Sequence, residues 1–371
     1  MKFAIITHTI HKSNNESFYA YEPYVREMNL WLKNTDSVRI AAPMSNNAVT
    51  KIESGYVGKD LGLVKIPNID LLSIKNTITT ILKLPILFHK IFKVMKWADH
   101  IHLRCPGNIG LLGCLVQILF PKKPKTVKYA GNWDPNANEQ PKSYKFQKWL
   151  VSNTFLTKNC KVLVYGDWPN QSKNIKPFFT ATYKNNEIQV IPKKDFSGTI
   201  KFIFVGSFSV GKQPMLSVKT VEKLFHLGFK VELSMFGDGE LFKEVQEYVI
   251  RKGLSEIVQL EGNQPKDKVK QAFQESHFLI FISKSEGWPK VVAEAMFWSC
   301  LAISTKVSCI PTMLDYGKRG AIVEDKIENI VAVVQHYLNN FDVYSNEVEK
   351  AKNWSQNYTL DKFEKEISKL L

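Results

Sequence analysis

The chain has 371 residues, of which 44% are hydrophobic and 12% aromatic, and its formal net charge is +15. This length predicts two domains of ordinary size, and the apolar content suffices for two cores, which excludes a wholly disordered protein.

The positive charge lies in the first half: residues 1–190 hold 26 basic and 12 acidic residues, whereas residues 191–371 hold 24 and 23. Such a surface attracts an acidic ligand, anionic lipid or nucleic acid. No RNA-binding motif accompanies it, so we expect no nucleic-acid partner.

The cysteines and the apolar segments bear on the cellular compartment. The five cysteines show no C-x-x-C spacing, which is typical of reduced thiols in a core. The first ten residues contain too short an apolar run for a signal peptide and instead predict a strand. No apolar run reaches the ~18 residues of a membrane-spanning helix. We therefore expect a cytoplasmic protein.

The two halves begin alike, with the apolar runs Lys2–Ile6 and Lys201–Val205. Each run leads into a loop and an amphipathic helix, as in a doubly wound α/β domain. Because strands alternate with helices, we expect parallel sheets. Segment 190–199 predicts a linker, so the expected domains are residues 1–190 and 191–355, followed by a C-terminal helix at 356–371. Further strands are predicted at 38–42, 100–103, 126–129, 161–165, 231–236, 257–260, 278–282 and 301–304.

The stretch from Ser283 to Met296, SKSEGWPKVVAEAM, places two carboxylates around a Gly-Trp-Pro turn. It follows the short apolar run 278–282, which predicts a buried strand, and Pro289 suits the first turn of a helix. The amides of residues 287–291 would then lie at a helix N-terminus, where phosphate binds readily. Glu286 lies ahead of these amides and Glu294 lies beyond them. Carboxylates on both sides of an anion-binding turn suit a nucleotide-sugar diphosphate.

This pattern resembles the E-x7-E signature of the retaining glycosyltransferases of family four, which have the GT-B fold. The resemblance extends over residues 200–325, and the first half shows a weaker similarity. Three further segments are similar to the family's glycine turns, phosphate-binding lysine and base-binding loop: FVGSFSVGK (204–212), MFGDGELFKEV (235–245) and VQLEGN (258–263).

The resemblance implies two Rossmann-like, doubly wound parallel-sheet domains that face a central cleft, with a final helix that returns to the first domain. It also implies metal-independent, retaining transfer of a sugar from a UDP- or GDP-linked donor, without a cofactor. The implied acceptor is a glycan or lipid-linked glycan of surface-polysaccharide or glycoconjugate assembly.

The resemblance assigns the donor site to the second domain. It implies that Glu286 contacts the transferred sugar, that Glu294 contacts the nucleotide ribose and that Lys212 neutralises the leaving diphosphate. The other residues expected to bind the donor are Gly206, Ser207, Gly237, Gly262, Asn263, Gly287, Trp288, Pro289, Lys290 and Val291.

The second half departs from the family at several positions. Ser207 stands where an arginine is usual, and Ser308 and Cys309 stand where the family has glycines. Ser299 stands where a helix-ending glycine is usual.

The first half departs further. The loop after the first strand, SNNESFYAYEPYVREM, lacks glycine, and Ala130 replaces the histidine that faces the donor sugar. For Asp134, a catalytic role and a turn-forming role both remain open. The expected acceptor-side residues are Tyr24, Arg104, Asn132 and Trp133.

Two metal-like patterns are discounted. Asp238 and Glu240 form a D-x-D-like pattern, but they lie in a turn that opens a helix, where acidic residues are favoured anyway. His100 and His102 alternate on a strand without a third ligand nearby, so we expect no metal site.

The departures leave a second function open, a non-catalytic GT-B scaffold subunit of another transferase. The missing histidine, the missing glycine loop and Ser207 favour it, whereas the intact pair of Glu286 and Glu294 argues against it.

Residues 75–97 form a basic amphipathic segment with two open interpretations. At helical spacing, one side gathers apolar residues and the other gathers lysines. The segment could rest on the anionic inner face of the cell membrane, or it could bury its apolar side in the first domain and leave its lysines in water. The apolar side comprises Leu84, Leu87, Phe88, Ile91, Phe92, Val94 and Met95, and the basic side Lys83, Lys90, Lys93 and Lys96.

Overall fold

The computed structural model of the protein describes residues 1–14, 17–50, 52–58, 60–69, 74–137 and 140–371, and the side chains of residues 74–78 and 81 lie outside this description. The chain folds into two compact units. The first comprises Met1–Thr180 with Lys362–Leu371, and the second comprises Ala181–Asp361. The second unit thus begins earlier than residue 191, where the sequence analysis places the boundary.

The first unit contains a seven-stranded parallel sheet in the described part of the chain, in the order β10-β9-β8-β7-β1-β4-β6. The chain moves outward from β1 through β4 to β6, and then continues on the other side of β1 with β7. The strands are β1 (Lys2–Ile6), β2 (Lys12–Asn14), β3 (Ser17–Tyr21), β4 (Ser37–Ala42), β5 (Glu53–Gly55), β6 (Asp60–Lys65), β7 (His100–Cys105), β8 (Lys125–Tyr129), β9 (Cys160–Tyr165) and β10 (Ile175–Phe178).

Helices cover this sheet because the strands are apolar on both faces. The core of the unit joins Ile6 of β1, Leu103 of β7 and Val127 of β8 to helical side chains that include Leu87 and Ile91. The helices are α1 (Glu22–Leu32), α2 (Ile74–Trp97), α3 (Asn108–Val116) and α4 (Lys142–Ser152), with a short 3-10 turn at Gln117–Leu119.

The glycine-free segment after β1 forms a small antiparallel sheet, which the sequence analysis does not predict. Strands β2, β3 and β5 pair in the order β2-β3-β5, and residues 15 and 16 lie outside the described chain. The buried Lys12 ammonium lies 2.9 Å from Glu53 Oε2 and ties β2 to β5. Helix α1 then begins at Glu22, with Pro23 in its first turn.

The second unit repeats the same plan with a six-stranded parallel sheet, in the order β13-β12-β11-β14-β15-β16. Both sheets thus place their first strand beside their second and fourth, the doubly wound arrangement of Rossmann-like domains. The strands are β11 (Ile200–Val205), β12 (Val231–Phe236), β13 (Val258–Gly262), β14 (Phe278–Phe281), β15 (Leu301–Thr305) and β16 (Ala321–Val323).

The helices of the second unit alternate with its strands. The last of them, α12, spans the residue at which the chain passes back to the first unit. Short 3-10 turns lie at Asn185–Glu187 and Asp315–Gly317. The helices are α5 (Pro214–His226), α6 (Phe242–Arg251), α7 (Lys266–Glu275), α8 (Lys290–Phe297), α9 (Ile310–Met313), α10 (Ile327–Asn339), α11 (Phe341–Ser355) and α12 (Leu360–Ser368).

The predicted α/β class and the doubly wound parallel sheets are confirmed. Every strand predicted from an apolar run is present, with ends that differ by one or two residues. The large-sheet strands that the sequence analysis missed are β6, β10 and β16. Strand β10 contains Pro177 and lies at the sheet edge, where a proline interrupts no ladder bond on its open side.

Helix α2 spans the basic amphipathic segment, and its two halves differ. Toward the C-terminus, Leu87, Ile91, Val94 and Met95 are buried in the core of the first unit, as predicted. Leu84 and Phe88, which belong to the same predicted apolar side, are 37% and 41% exposed, so the core interpretation applies only to part of that side. Within the described residues, no helix is long and apolar enough to cross a membrane.

Two glycines allow the loops of the second sheet to touch. At Gly237, with φ +123°, an added Cβ would overlap the carbonyl oxygen of Gly206. At Gly239, with φ +156°, an added Cβ would lie 2.6 Å from the carbonyl oxygen of Phe208. Only glycine therefore fits this close approach.

We expect Gly237→Ala to lower the free energy of unfolding by at least about 2 kcal/mol, because it adds a backbone clash to an unfavourable φ. Thermal unfolding followed by circular dichroism measures this. Gly198→Ala is the control, since an added Cβ there meets nothing within 4 Å. Equal melting temperatures for the two variants would contradict the assigned loop contact.

Candidate functional site

The second sheet reverses its strand order between β11 and β14. In doubly wound sheets, ligands bind outside the carboxyl ends of the strands at such a switch point. The loops that leave these ends are residues 206–213 after β11 and 282–289 after β14. The predicted donor-binding residues Gly206, Lys212 and Glu286 lie on these two loops, which the sheet topology brings side by side.

Backbone hydrogen bonds join the neighbouring loops to this point. The Gly206 amide donates to the Phe236 carbonyl at 3.0 Å, and the Gly237 amide donates to the Gly262 carbonyl at 2.8 Å. The loops after β11, β12 and β13 are thereby tied together in sheet order. Ser207 lies within this group, with its hydroxyl 3.2 Å from that of Ser209, and Asn263 is exposed at the end of β13.

Lys212 and Glu286 form an ion pair across the switch point. The Glu286 side chain is only 9% exposed, and its Oε1 also accepts a 2.6 Å hydrogen bond from the hydroxyl of Ser283. The Lys212 ammonium lies 4.7 Å from the centre of the Phe281 ring. A carboxylate this buried needs a compensating charge, and Lys212 supplies it.

The two loops are also fixed to each other by their backbone. The Lys284 amide donates to the Gly211 carbonyl at 2.9 Å, and the Thr305 hydroxyl donates to the Ser283 carbonyl at 2.6 Å. The ion pair therefore lies on a rigid support.

The turn after Glu286 leads directly into helix α8, as the sequence predicts. The helix begins at Lys290. Pro289, which the sequence analysis places in the first turn, is the residue immediately before the helix. The Lys290 amide donates to the Trp288 carbonyl at 2.9 Å, and the Val292 amide donates to the Pro289 carbonyl at 3.0 Å. One of the amides expected to face phosphate, that of Lys290, thus already has a backbone partner.

Trp288 packs against the end of helix α11. Its ring lies 6.3 Å from that of Trp354, in a stacked arrangement, and 5.8 Å from that of Tyr358. The side chain predicted to bind the donor therefore anchors the turn to its own unit through aromatic contacts.

Glu294 lies on helix α8, eight residues after Glu286. Its Oε1 accepts a 2.6 Å hydrogen bond from the hydroxyl of Thr182. The two carboxylates of the motif thus have different partners: Glu286 contacts a lysine and a serine, and Glu294 contacts a threonine.

The serines that replace glycines adopt glycine-like backbone conformations. Ser299, after helix α8, has φ +60°, and Ser308 has φ +47°. Left-handed conformations cost a non-glycine residue about 1 kcal/mol. The Ser308 hydroxyl donates to the Gly287 carbonyl at 2.7 Å, so this replacement ties the E-x7-E turn to the loop after β15.

Two of the predicted acceptor-side residues of the first unit, the buried Tyr24 and the partly buried Arg104, pack against each other. Tyr24 is 5% exposed, and the Arg104 guanidinium lies 5.4 Å from the centre of its ring. Arg104 Nη1 lies 3.5 Å from Oε1 of the buried Glu27, whose other oxygen accepts a 3.2 Å hydrogen bond from Thr180. These contacts describe a packed polar cluster at the carboxyl end of β7.

The segment around Asp134 is a compact turn. The Asn132 side-chain oxygen accepts from the Asp134 amide at 2.9 Å, and Asp134 Oδ1 accepts from the Asn136 amide at 2.8 Å. Trp133 is 3% exposed, and its indole N–H donates to Gln171. The geometry favours the turn-forming role of Asp134, and its catalytic role stays a prediction.

An open pocket of about 280 Å³ lies at the switch point of the first sheet, where the loops after β1 and β7 meet. None of its lining residues is among those that the sequence analysis selected. The strand order could have identified this pocket, because it places the residues that follow the first and fourth strands side by side. Burial lowers the pKa of His8, and the charge of Arg104 lowers it further. The lining includes His8, Asn68, Pro106, Gly107, Asn108 and Tyr144.

The metal-like patterns have other partners. The Asp238 carboxylate accepts a 2.7 Å hydrogen bond from the Gly239 amide. His100 and His102 both contact the Thr126 hydroxyl, at 3.0 and 2.9 Å. In the part of the chain that the structure describes, no group of three His, Cys, Asp or Glu residues could hold a metal ion.

Sequence comparisons show that the second unit is similar to a known family of enzymes. Residues 184–359, which lie within the second unit, match the family profile of glycosyl transferases group 1. An uncharacterized glycosyltransferase of Methanocaldococcus jannaschii, MJ1178, is 27% identical over 161 residues. That match covers 43% of this chain and 44% of the MJ1178 chain, so the chain spans less than half the length of this curated relative.

Solved structures extend the similarity to both units. The structure of HepE from Anabaena, in complex with UDP and glucose, matches with a TM-score of 0.69 at 12% identity and covers 100% of this chain and 98% of HepE. The structure of TarM from S. aureus matches with a TM-score of 0.58 at 16% identity and covers 78% of this chain and 58% of TarM. At these identities the likeness establishes the fold, which is GT-B. The comparisons support a group 1 glycosyltransferase.

Proposed function

We propose that the protein is a retaining glycosyltransferase that moves a sugar from a UDP- or GDP-linked donor to a glycan or lipid-linked glycan. The observation that carries this proposal is the contact between Lys212 and Glu286 at the switch point of the second sheet. The contact places a lysine ammonium, which can bind a diphosphate, beside a carboxylate, which can accept hydrogen bonds from sugar hydroxyls. Surface-polysaccharide or glycoconjugate assembly is the proposed setting.

The chemistry needs a stabilised leaving group. The bond between the anomeric carbon and the diphosphate oxygen breaks, and a bond from that carbon to the acceptor oxygen forms on the same face. The departing diphosphate oxygen takes the acceptor's proton. Fixed positive charge at the leaving oxygen is the main catalytic contribution in such a reaction. Lys212 provides it, and the diphosphate replaces Glu286 as the partner of the ammonium.

The donor class is supported by the fold neighbours. The HepE structure was solved with UDP and glucose, and the TarM structure was solved with UDP. In this chain, Glu294 is the proposed partner of the nucleotide ribose, and the joined glycine loops at Gly206, Gly237 and Gly262 are the proposed support for the diphosphate and base. No separate cofactor takes part.

The proposed acceptor surface is the pocket at the switch point of the first sheet. Its lining presents an imidazole, two asparagines and a tyrosine, groups that hydrogen-bond and stack on sugar rings. The TarM structure contains an α-GlcNAc-glycerol glycoside beside UDP, which supports a sugar acceptor for the fold. Tyr24 and Trp133, which the sequence analysis placed on the acceptor side, are buried and do not line this pocket.

Alanine variants of the two glutamates test this assignment. We expect Glu294→Ala to weaken UDP or GDP binding by about tenfold or more, because a hydrogen bond to a charged group is worth about 1.5–3 kcal/mol. We expect Glu286→Ala to reduce turnover of UDP-glucose strongly while UDP binds nearly as well as before. Calorimetry measures binding, and release of UDP from UDP-glucose measures turnover.

Glu256→Ala is the matched control, because Glu256 is an exposed glutamate of the same unit. If Glu294→Ala bound nucleotide as tightly as this control, the ribose assignment would be wrong. Nucleotide binding without turnover of any sugar donor in the wild-type protein would favour the non-catalytic scaffold.

Metal independence follows from the same site. We expect donor turnover to persist in excess EDTA, because Lys212 and not a bound cation meets the diphosphate. The assay compares initial rates before and after chelation. Complete loss of activity that Mn²⁺ or Mg²⁺ restores would require a different description of the site.

An anionic membrane surface is the second proposed partner, and it meets the side of helix α2 that faces away from the core. Leu82 and Ile86 are 72% and 53% exposed, and both lie on the side opposite the core residues. Residues 74–98 contain five lysines and no acidic residue. Exposed apolar side chains beside unopposed lysines suit an interfacial helix. The Lys90 ammonium already has a protein partner, because it donates a hydrogen bond to the Lys65 carbonyl at 2.8 Å.

We expect the protein to sediment with anionic vesicles at low salt and not with neutral ones. Replacing Lys83, Lys93 and Lys96 with glutamine should weaken this binding by up to about 3 kcal/mol, at about 1 kcal/mol per lysine. The control replaces Lys122, Lys142 and Lys173, which are exposed lysines of the same unit outside α2. Equal binding by the two triple variants would show that only general positive charge acts.

A further inference from the structure

The first residues of the second unit, from Ala181 onward, contact helix α8 at Glu294. Thr182, the second residue of this unit, is 7% exposed. Its hydroxyl donates a 2.6 Å hydrogen bond to Glu294 Oε1. The sequence analysis assigned Thr182 to the first domain and gave it no role.

Neighbouring contacts hold the Thr182 backbone in place. Its carbonyl accepts a 3.1 Å hydrogen bond from Lys266 Nζ on helix α7, and the same ammonium lies 3.3 Å from Glu187. The Tyr183 ring packs at 5.0 Å against both Phe297 and Trp298. These contacts fix the segment to helices α7 and α8, so the threonine hydroxyl has a defined position.

This position limits how Glu294 can turn. Among the hydrogen bonds of the described residues, the one that reaches the Glu294 carboxylate ends on Oε1. A carboxylate has acceptor sites on both oxygens. With Oε1 engaged, Oε2 is held in one direction and can accept from a ligand hydroxyl without first losing rotational freedom, so less entropy is lost on binding.

We infer that Thr182 is a positioning residue for the nucleotide, which orients Glu294 toward the ribose hydroxyls. This inference rests on the proposed ribose role of Glu294. It adds a residue outside the E-x7-E motif to the donor site and makes the crossing segment part of nucleotide recognition.

The test compares wild type, Thr182→Val and Thr182→Ser, by calorimetry with UDP (or GDP, if only GDP binds) and with the 2′,3′-dideoxy form of the same nucleotide. Valine keeps the shape of threonine and removes the hydroxyl, whereas serine keeps the hydroxyl. We expect Thr182→Val to weaken binding of the ribonucleotide by about tenfold, or about 1.4 kcal/mol, and to leave the dideoxy form nearly unchanged. Thr182→Ser should restore the preference for the ribonucleotide.

A purely structural role predicts a different result. If Thr182→Val weakened both nucleotides equally, or weakened neither, the positioning role would be overturned. Should the valine variant not fold, Thr182→Ala takes its place against Thr182→Ser, with circular dichroism confirming that both are folded.

The same measurements on Glu294→Ala separate this inference from the proposed function. If Glu294→Ala loses the preference for the ribonucleotide and Thr182→Val keeps it, only the role of Thr182 falls. If Glu294→Ala keeps the preference for the ribonucleotide, both the ribose assignment and the role of Thr182 are overturned. If neither UDP nor GDP binds the wild-type protein, both are overturned.

Discussion

The adjacency of β11 and β14 is the constraint on which the candidate site depends. These strands are separated in sequence by two further strands and three helices, yet they hydrogen-bond side by side through Phe202 and Phe278. Parallel strands end at the same sheet edge, so the loops that follow them must meet there. The ion pair of Lys212 and Glu286 is a direct consequence. A change in strand order would separate these side chains without changing either local segment.

The two glutamates of the motif show how one helix start can serve two chemical purposes. Glu286 precedes helix α8 and lies against a lysine and a serine hydroxyl, so it can exchange a charged partner for a ligand. Glu294 lies within the helix, and its Oε1 accepts a hydrogen bond from the neutral hydroxyl of Thr182. The two carboxylates of the motif thus differ in their partners, and this difference supports the separate roles that we propose for them.

The first unit has the same strand order but different contents at its switch point. There, Arg104 packs against the buried residues Tyr24 and Glu27, and a pocket is lined by residues that include His8 and Tyr144. The glycine-free segment after β1 supplies two strands, β2 and β3, of a small antiparallel sheet. Helix α2 adds positive charge to the same unit, since residues 74–98 contain five lysines and no acidic residue.

The sequence by itself determined the α/β class, the repeated strand-helix plan and the strand-turn-helix around Glu286 and Glu294, because these depend on local apolar runs, proline placement and residue spacing. It did not predict strand β10, the small antiparallel sheet or the exposure of Leu84 and Phe88, because these depend on edge position and on where the core ends. Only the tertiary structure decided that Lys212 contacts Glu286 and that Thr182 contacts Glu294. The partners in these pairs are 74 and 112 residues apart in the chain, and no local pattern specifies which distant side chain a fold will bring to a carboxylate.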